Sequence, residues 1–536
     1  MRRACSYAAA VSSASGEKEK NSIATENLDD LRVRGIRALV PSAYLVEELG
    51  GDDTVYDTVT KARSDLSRAV RGEDSRLVVV AGPVSTHDPQ AALEYAKKLV
   101  ALQQAHATEL IVVMRVFLDE PAGGAGYWSG AMYDPDLNGS FQINKGFIQA
   151  RQLLLDINAL GLPVGCLYVD TISPQFIADL VSWSCISSYS AQSHLHRELA
   201  SGLSTPVGFA AVGAGALAAE LAVDACKVAG APHAFLSVSK QGVAGIVETT
   251  GNKDCHVLLG PNPEGIARAC EILTACDRPA RVMIDCPDEK AADGLASSCA
   301  AGDRKVFGVL LPSFLKGGAQ VLKPNDPSRT YGQSVTEPCL GWEATAKVLD
   351  GLAAAVRTRR SISAPSPHRD PSVHNAKAHY VEVGQIEATD NLRVKQIRPL
   401  LSAAVCIEEN DADASVKQMV FDTRCEVSAL LHGQSNRLLV VVGPAAIHDT
   451  QACMEYAARL KALSDQLSDE LLVIMQVNFE SAAAPNGWKG LINDPDLDNS
   501  FQINKGFRQA RQLLLDINRL GLPAGCEYLD TITPQV

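Results

Sequence analysis

The segment FQINKGFIQARQLLLDINALGLP (Phe141 to Pro163) returns 360 positions later as FQINKGFRQARQLLLDINRLGLP (Phe501 to Pro523). The copies differ only at Ile148 against Arg508 and at Ala159 against Arg519. In 536 residues, that spacing leaves room for one unit and the beginning of a second. Whatever the unit folds into, the second copy holds less than half of it.

Four segments follow from this. Residues 1–26 read as a disordered tail. Their Arg, Ala and Ser content permits a transit peptide, against which Glu17 and Glu19 argue. Residues 27–360 form the first unit, and residues 361–385, rich in Ser, Pro and His and without periodicity, form a linker. Residues 386–536 begin the second unit, where NLRVKQIRPLL (Asn391 to Leu401) matches DLRVRGIRALV (Asp30 to Val40).

Within the first unit, short β-branched runs alternate with helical patterns. Strands are expected at Arg76 to Gly82, Leu110 to Phe117, Val164 to Asp170, Cys185 to Tyr189, Pro206 to Phe209, Cys255 to Leu259, Arg281 to Asp285 and Val306 to Leu311. Helices are expected at Ala91 to Ala105 and Asn144 to Asn158, and a hairpin at Pro232 to Asp254. Eight strands with helices between most of them predict a parallel α/β fold closed into a (β/α)₈ TIM barrel, followed by a partial second copy. Half a barrel leaves strand edges and an apolar interior uncovered.

A net charge of −13 excludes the basic stripe of a nucleic-acid binder. No apolar run is long enough to span a membrane. The 14 cysteines are scattered without a CxxC pair, which points to a reducing compartment. The expected location is cytoplasmic, or an organelle if the tail is a transit peptide. Gly213, Gly215 and Ala218 satisfy a GxGxxA spacing, but no acidic residue at a strand end about 20 residues on supports a ribose contact. No cysteine carries the local signature of a nucleophile.

Several stretches together resemble the type I 3-deoxy-7-phosphoheptulonate (DAHP) synthases. They are AGPVSTHDP (Ala81 to Pro89), VMRVFLDEP (Val113 to Pro121), DPDLNGSFQINKG (Asp134 to Gly146), HRELASGLSTPVGF (His196 to Phe209), GNKDCHVLL (Gly251 to Leu259), VMID (Val282 to Asp285) and YGQSVTEPCLGWEAT (Tyr331 to Thr345). The resemblance implies a (β/α)₈ barrel that condenses phosphoenolpyruvate with erythrose 4-phosphate, the first step toward chorismate and the aromatic amino acids. It implies a divalent metal (Mn, Fe, Co or Zn) and a homo- or hetero-oligomer.

That chemistry needs several fixed cations for two phosphorylated substrates, and a metal or strong donor for the aldehyde. The resemblance places these groups at strand ends, where this chain departs from the pattern. The metal-binding Cys aligns with Val84, and with Ala445 in the second copy. The other metal ligands align with Asp288, Pro312 and Glu337, of which Asp288 and Glu337 could still coordinate a hard cation. A substrate-binding Arg is kept as Arg115 but becomes Gln476 in the second copy. The cationic Lys-Pro-Arg-Thr loop reads Glu120, Pro121, Ala122, Gly123, and its second copy starts at Ser481. Further phosphate-binding cations align with Tyr189, Ala210 and Gly260.

One charge-assisted contact contributes about 1.5–3 kcal/mol, and micromolar binding needs about 8 kcal/mol. Losing five such contacts therefore predicts lost or impaired activity. The alternatives are a non-catalytic regulatory or binding subunit of an active relative, and an enzyme active despite its substitutions. Around these positions, His87 and Asp88 read as tying a loop to the next helix. Asn252, Asp254, Cys255 and His256 read as a local polar network, and Arg197 with Glu198 as an ion pair.

Overall fold

The computed structural model describes residues 31–120, 128–211, 213, 215–323, 328–362, 389–481 and 487–535. The chain divides into two compact units, Leu39–Pro399 and Met1–Ala38 with Leu400–Val536.

The first of these is built on eight parallel strands: β1 (Leu77–Gly82), β2 (Leu110–Arg115), β3 (Val164–Tyr168), β4 (Trp183–Ile186), β5 (Val207–Ala210), β8 (His256–Leu259), β9 (Val282–Asp285) and β10 (Val306–Pro312). They close into a barrel, β10 pairing back onto β1 with Val79 opposite Val309, while β1 pairs β2 with Val79 opposite Val112. The expected (β/α)₈ barrel is therefore present. Runs such as LVVVAG are buried on both faces, as parallel strands under a helical jacket require.

Alternate side chains serve two cores. Val78, Val80, Val113, Trp183, Leu258, Met283, Phe307 and Leu310 fill the barrel interior, joined by Leu66, Ala69 and Val70 from the helix Asp53–Arg71. Leu77, Val79, Val112 and Met114 face outward to the helices. That helix starts at Asp52, whose carboxylate accepts from Val55 N–H, and stops at Gly72 in the left-handed conformation.

The expected hairpin is β6 (Ala234–Val238) against β7 (Ala244–Thr249), antiparallel, with Leu236 opposite Ile246. After a separate two-stranded pair, β11 (Lys316–Ala319) with β12 (Gln333–Ser334), the third strand of the hairpin sheet, β13 (Val394–Pro399), lies antiparallel along β7. It comes from the stretch that repeats Asp30 to Val40, so the leading strand of the second copy completes a sheet of the first unit.

Three strand assignments shift by two residues or more. The fourth strand is Trp183–Ile186 rather than Cys185 to Tyr189, the second ends at Arg115 rather than Phe117, and the third ends at Tyr168 rather than Asp170. Tyr189 therefore lies beyond the fourth strand and is 84% exposed.

The second unit carries three parallel strands in the order β14 (Leu438–Val442), β15 (Leu471–Gln476), β16 (Ala524–Gly525). Its first strand is poorly covered: Leu438 is 65% and Val441 54% exposed. The helices Ile143–Ala159 and Ile503–Arg519 carry the repeated segment. Packing explains why its glycine is common to both copies. A Cβ on Gly146 would sit 2.0 Å from the carbonyl oxygen of Met132, and one on Gly506 would sit 2.1 Å from that of Ile492. Among the described residues, no helix is long and apolar enough to cross a membrane.

Candidate active site

In the parallel barrel Arg115, Ala210, Asp285 and Pro312 end their strands at the same mouth. Arg115, the last residue of β2, is buried. Its Nη2 donates to the carbonyl of Val84 at 3.1 Å, and its guanidinium lies 4.1 Å from the centroid of the Phe117 ring. Its Nε is buried with no hydrogen-bond partner among the described residues.

Three carboxylates share the field of Arg115: Asp285 at the end of β9, Glu120 and Glu337. Burial raises the Glu120 carboxyl to about 7, against the attraction of Arg115 and a hydrogen bond from Ser85. Asp285, although its side chain reaches solvent at the strand end, is also raised, chiefly by partial desolvation, with Arg115 opposing and Glu337 adding to the effect. Ser85 and Thr336 join their hydroxyls at 2.9 Å beneath this group. The retained cation thus faces acids on several sides. Asp285, Ser85 and Thr336 were not singled out in the sequence. Asp285 ends the VMID strand on the same side as Arg115, and its position was the signal.

The other aligned positions are accounted for individually. Val84 is buried and offers no ligand atom beyond its carbonyl. Asp288 is the N-cap of the helix Glu289–Ala300, its Oδ1 accepting from Ala291 N–H at 2.8 Å. Glu337 is exposed, and Pro312 ends β10. Among the described residues, no three His, Cys, Asp or Glu side chains come together as a metal set. Ala210 ends β5, and a Cβ on Gly260 would meet nothing within 4 Å. Ala122 lies outside the described residues. In the second copy, Gln476 ends β15, and the backbone of Ser481 donates to the Lys489 carbonyl at 3.1 Å. Ala445, the second-copy position aligned with Val84, has only a methyl side chain.

The surrounding polar residues are structural. Asp88 caps the helix Pro89–Ala105 through Gln90 and Ala91 N–H. His87 is buried edge-on to Phe314 and held near 4, mainly by desolvation. Asn252 donates to the carbonyls of Ala200, Leu203 and Thr205, and Trp183 Nε1 donates to His256 Nε2 at 3.1 Å. The expected Arg197–Glu198 pair does not form. Arg197 reaches Asp224 at 2.9 Å, while Glu198 lies 3.2 Å from His194 Nε2. Neighbours on a helix point in different directions, so i,i+1 residues seldom pair.

A deeper acid pair was also missed. Asp119 is fully buried, and burial together with the nearby Asp170 raises its carboxyl well above the usual range. Ser173 Oγ donates to it at 3.3 Å, and Tyr133 donates to Asp170. In the second copy, Glu480, raised to about 7 by burial and then by Asp530, stands in the same relation. The two copies thus share a close pair of carboxyl groups, one member of which, Asp119 or Glu480, is raised.

Comparison with known proteins gives a consistent picture. Residues 57–350 and 411–536 match the profile of the DAHP synthetase I family. The Phe-sensitive phospho-2-dehydro-3-deoxyheptonate aldolase of Escherichia coli (strain K12) is 43% identical over 348 residues, covering 62% of this chain and 98% of that protein. The tyrosine-inhibited enzyme of Schizosaccharomyces pombe is 39% identical over 355 residues, covering 62% and 95%. The solved structure of the Francisella tularensis SCHU S4 aldolase superposes with a TM-score of 0.58 at 37% identity, over 61% of this chain and 99% of that one.

Proposed function

The chain belongs to the DAHP synthetase I family, and on that premise we propose that it is a family barrel whose own site has lost the condensation of phosphoenolpyruvate with erythrose 4-phosphate. In that reaction C3 of phosphoenolpyruvate adds to the aldehyde carbon, water supplies an oxygen at C2, and phosphate leaves. The steps depend on holding three anionic groups and on polarising one carbonyl.

The observation that carries the proposal is Glu120. A carboxyl group beside Arg115 lies where the family resemblance calls for a lysine, and it shares the field of that guanidinium with Asp285 and Glu337. An incoming phosphate or carboxylate meets these acids before it meets a cation. Coulomb repulsion in a partly desolvated site opposes it.

The residues present do not fit the family's divalent metal. Val84 and Pro312 supply no side-chain ligand, the Asp288 carboxylate is engaged as a helix cap, and Glu337 stands exposed. The intact closed barrel and its three-stranded hairpin sheet favour a retained binding or regulatory role, alongside an active relative in a mixed oligomer.

Titration calorimetry of the full chain with phosphoenolpyruvate tests the reading. No heat of binding is expected up to millimolar ligand at pH 8. Saturable micromolar binding would overturn it.

A further inference from the structure

In the first barrel, three side chains hold one short segment, the 3₁₀ turn Ala178–Leu180 and its flanks. Arg63 donates from Nη2 to the Ala178 carbonyl at 2.7 Å and from Nε to the Val181 carbonyl at 2.9 Å. Arg151 donates from Nη1 to the Phe176 carbonyl at 2.9 Å and grips both oxygens of Asp179, each at 2.7 Å. Asn158 donates from Nδ2 to the Leu180 carbonyl at 2.9 Å. Asp179, Leu180 and Val181 are fully buried.

The second copy repeats all three holders. Arg424 stands where the first copy has Arg63, Arg511 where it has Arg151, and Asn518 where it has Asn158. Arg511 is anchored in the same way. Its Nε donates to the Asn410 carbonyl at 2.8 Å, as Arg151 Nε donates to the Leu49 carbonyl at 2.8 Å. The held segment is not repeated with them. Pro534 and Gln535 match Pro174 and Gln175, and counterparts of Ile177 to Val181 are not among residues 1–536.

The surface that such a segment would cover is open in the second unit. Arg424 and Asn518 line a groove of about 800 Å³ together with Val427, Leu431, Leu514 and Tyr528. Arg511 lines a smaller pocket that shares Leu514 and Tyr528 with it. Leu431 is 77% and Tyr528 61% exposed, whereas their first-copy counterparts Val70 and Tyr168 are 6% and 0% exposed. An apolar wall alone would not specify an occupant. Here the first copy shows the occupant's pattern, Phe-Ile-Ala-Asp-Leu-Val (Phe176 to Val181), bound by the same three residue types at matching positions.

We propose that the groove of the second unit is a binding site for a segment of another polypeptide that carries this pattern, an apolar 3₁₀ turn around one aspartate. Arg511 takes the carboxylate as a bidentate pair, Arg424 and Asn518 take backbone carbonyls, and the apolar side chains cover Leu431, Leu514 and Tyr528. In the first unit this segment leads into β4, so the partner that fits is one supplying the later strands of a like barrel. The proposal does not depend on whether the first barrel is catalytic.

The test uses the full chain and a fluorescent peptide of residues 173–183. Anisotropy should show saturable binding. The peptide with Asp179→Asn should bind about tenfold or more weakly, because a bidentate charge-assisted pair is lost. The unaltered peptide should lose affinity to the same extent for the Arg511→Met chain. Because that variant can unfold the second unit, circular dichroism checks its fold, and the substituted peptide probes the same contact on an unaltered chain. No saturable binding, or equal affinity of the two peptides, overturns the proposal. Binding that Arg511→Met leaves unchanged also overturns it, since the peptide would then sit elsewhere.

Discussion

Replacing Glu120 with Gln isolates the electrostatic feature on which the functional reading turns. The Glu120 carboxyl ionises near 4.5 in the unfolded chain and near 7 in the barrel, mainly because burial disfavours the charged form. A group raised on folding contributes stability that is fully present below its unfolded value, and this is lost as pH rises through the folded value. Between 4.5 and about 7, at about 1.4 kcal/mol per pH unit, the loss reaches about 3 kcal/mol as an upper value. Glutamine keeps the shape and cannot ionise. Urea denaturation of the two proteins at matched pH should therefore agree within about 0.5 kcal/mol at pH 5. At pH 8 the variant should be more stable, by up to about 3 kcal/mol. Phosphoenolpyruvate should follow the same direction, since removing one like charge about 6 Å away at an effective dielectric near 20 is worth about 3 kcal/mol, or ~100-fold in Kd. A stability difference that stays constant from pH 5 to pH 8 would refute the argument, because it would mean that folding does not raise the Glu120 carboxyl above its unfolded value.

Other perturbations probe the scaffold. Arg151→Met strands the fully buried Asp179, which Arg151 holds with two bonds of 2.7 Å, and should cost about 3–5 kcal/mol in chemical denaturation; adding Asp179→Asn should recover most of it. Gly146→Ala drives a methyl group into the Met132 carbonyl and should destabilise the barrel by about 1–3 kcal/mol or more, read as a lower urea midpoint. Asp119→Asn should flatten the fall in stability toward alkaline pH, because Asp119 is held protonated in the fold and its contribution is lost as pH rises through its raised folded value. An unchanged pH profile would show that Asp119 carries no such linkage.

Most of the barrel was legible because parallel strands buried on both faces are continuous β-branched runs, as in LVVVAG and VFGVLLP. Trp183–Ile186 was placed two residues late because WSCI has little β-branched content, and its strand character comes from packing Trp183 against His256 and the barrel interior. The partner of β13 could not be read from local pattern, since strand composition does not specify which edge a strand will join. At the site, alignment of strand ends located Arg115 and Glu120, but residue type alone did not show that Asp288 would be consumed as a helix cap. Asp285, three residues earlier, is the acid that shares the field of Arg115. The buried Asp119 was hidden for a similar reason. A carboxyl group next to Glu120 in LDEP reads as solvated until the fold encloses it.

The central claim is that this barrel keeps the family scaffold without the family reaction. The most direct measurement is turnover by the purified full-length chain with phosphoenolpyruvate, erythrose 4-phosphate and Mn²⁺, with the Escherichia coli Phe-sensitive enzyme run in parallel. Loss of phosphoenolpyruvate and release of phosphate should match the protein-free background, with or without chelator. Turnover above background that disappears on adding chelator would contradict the account.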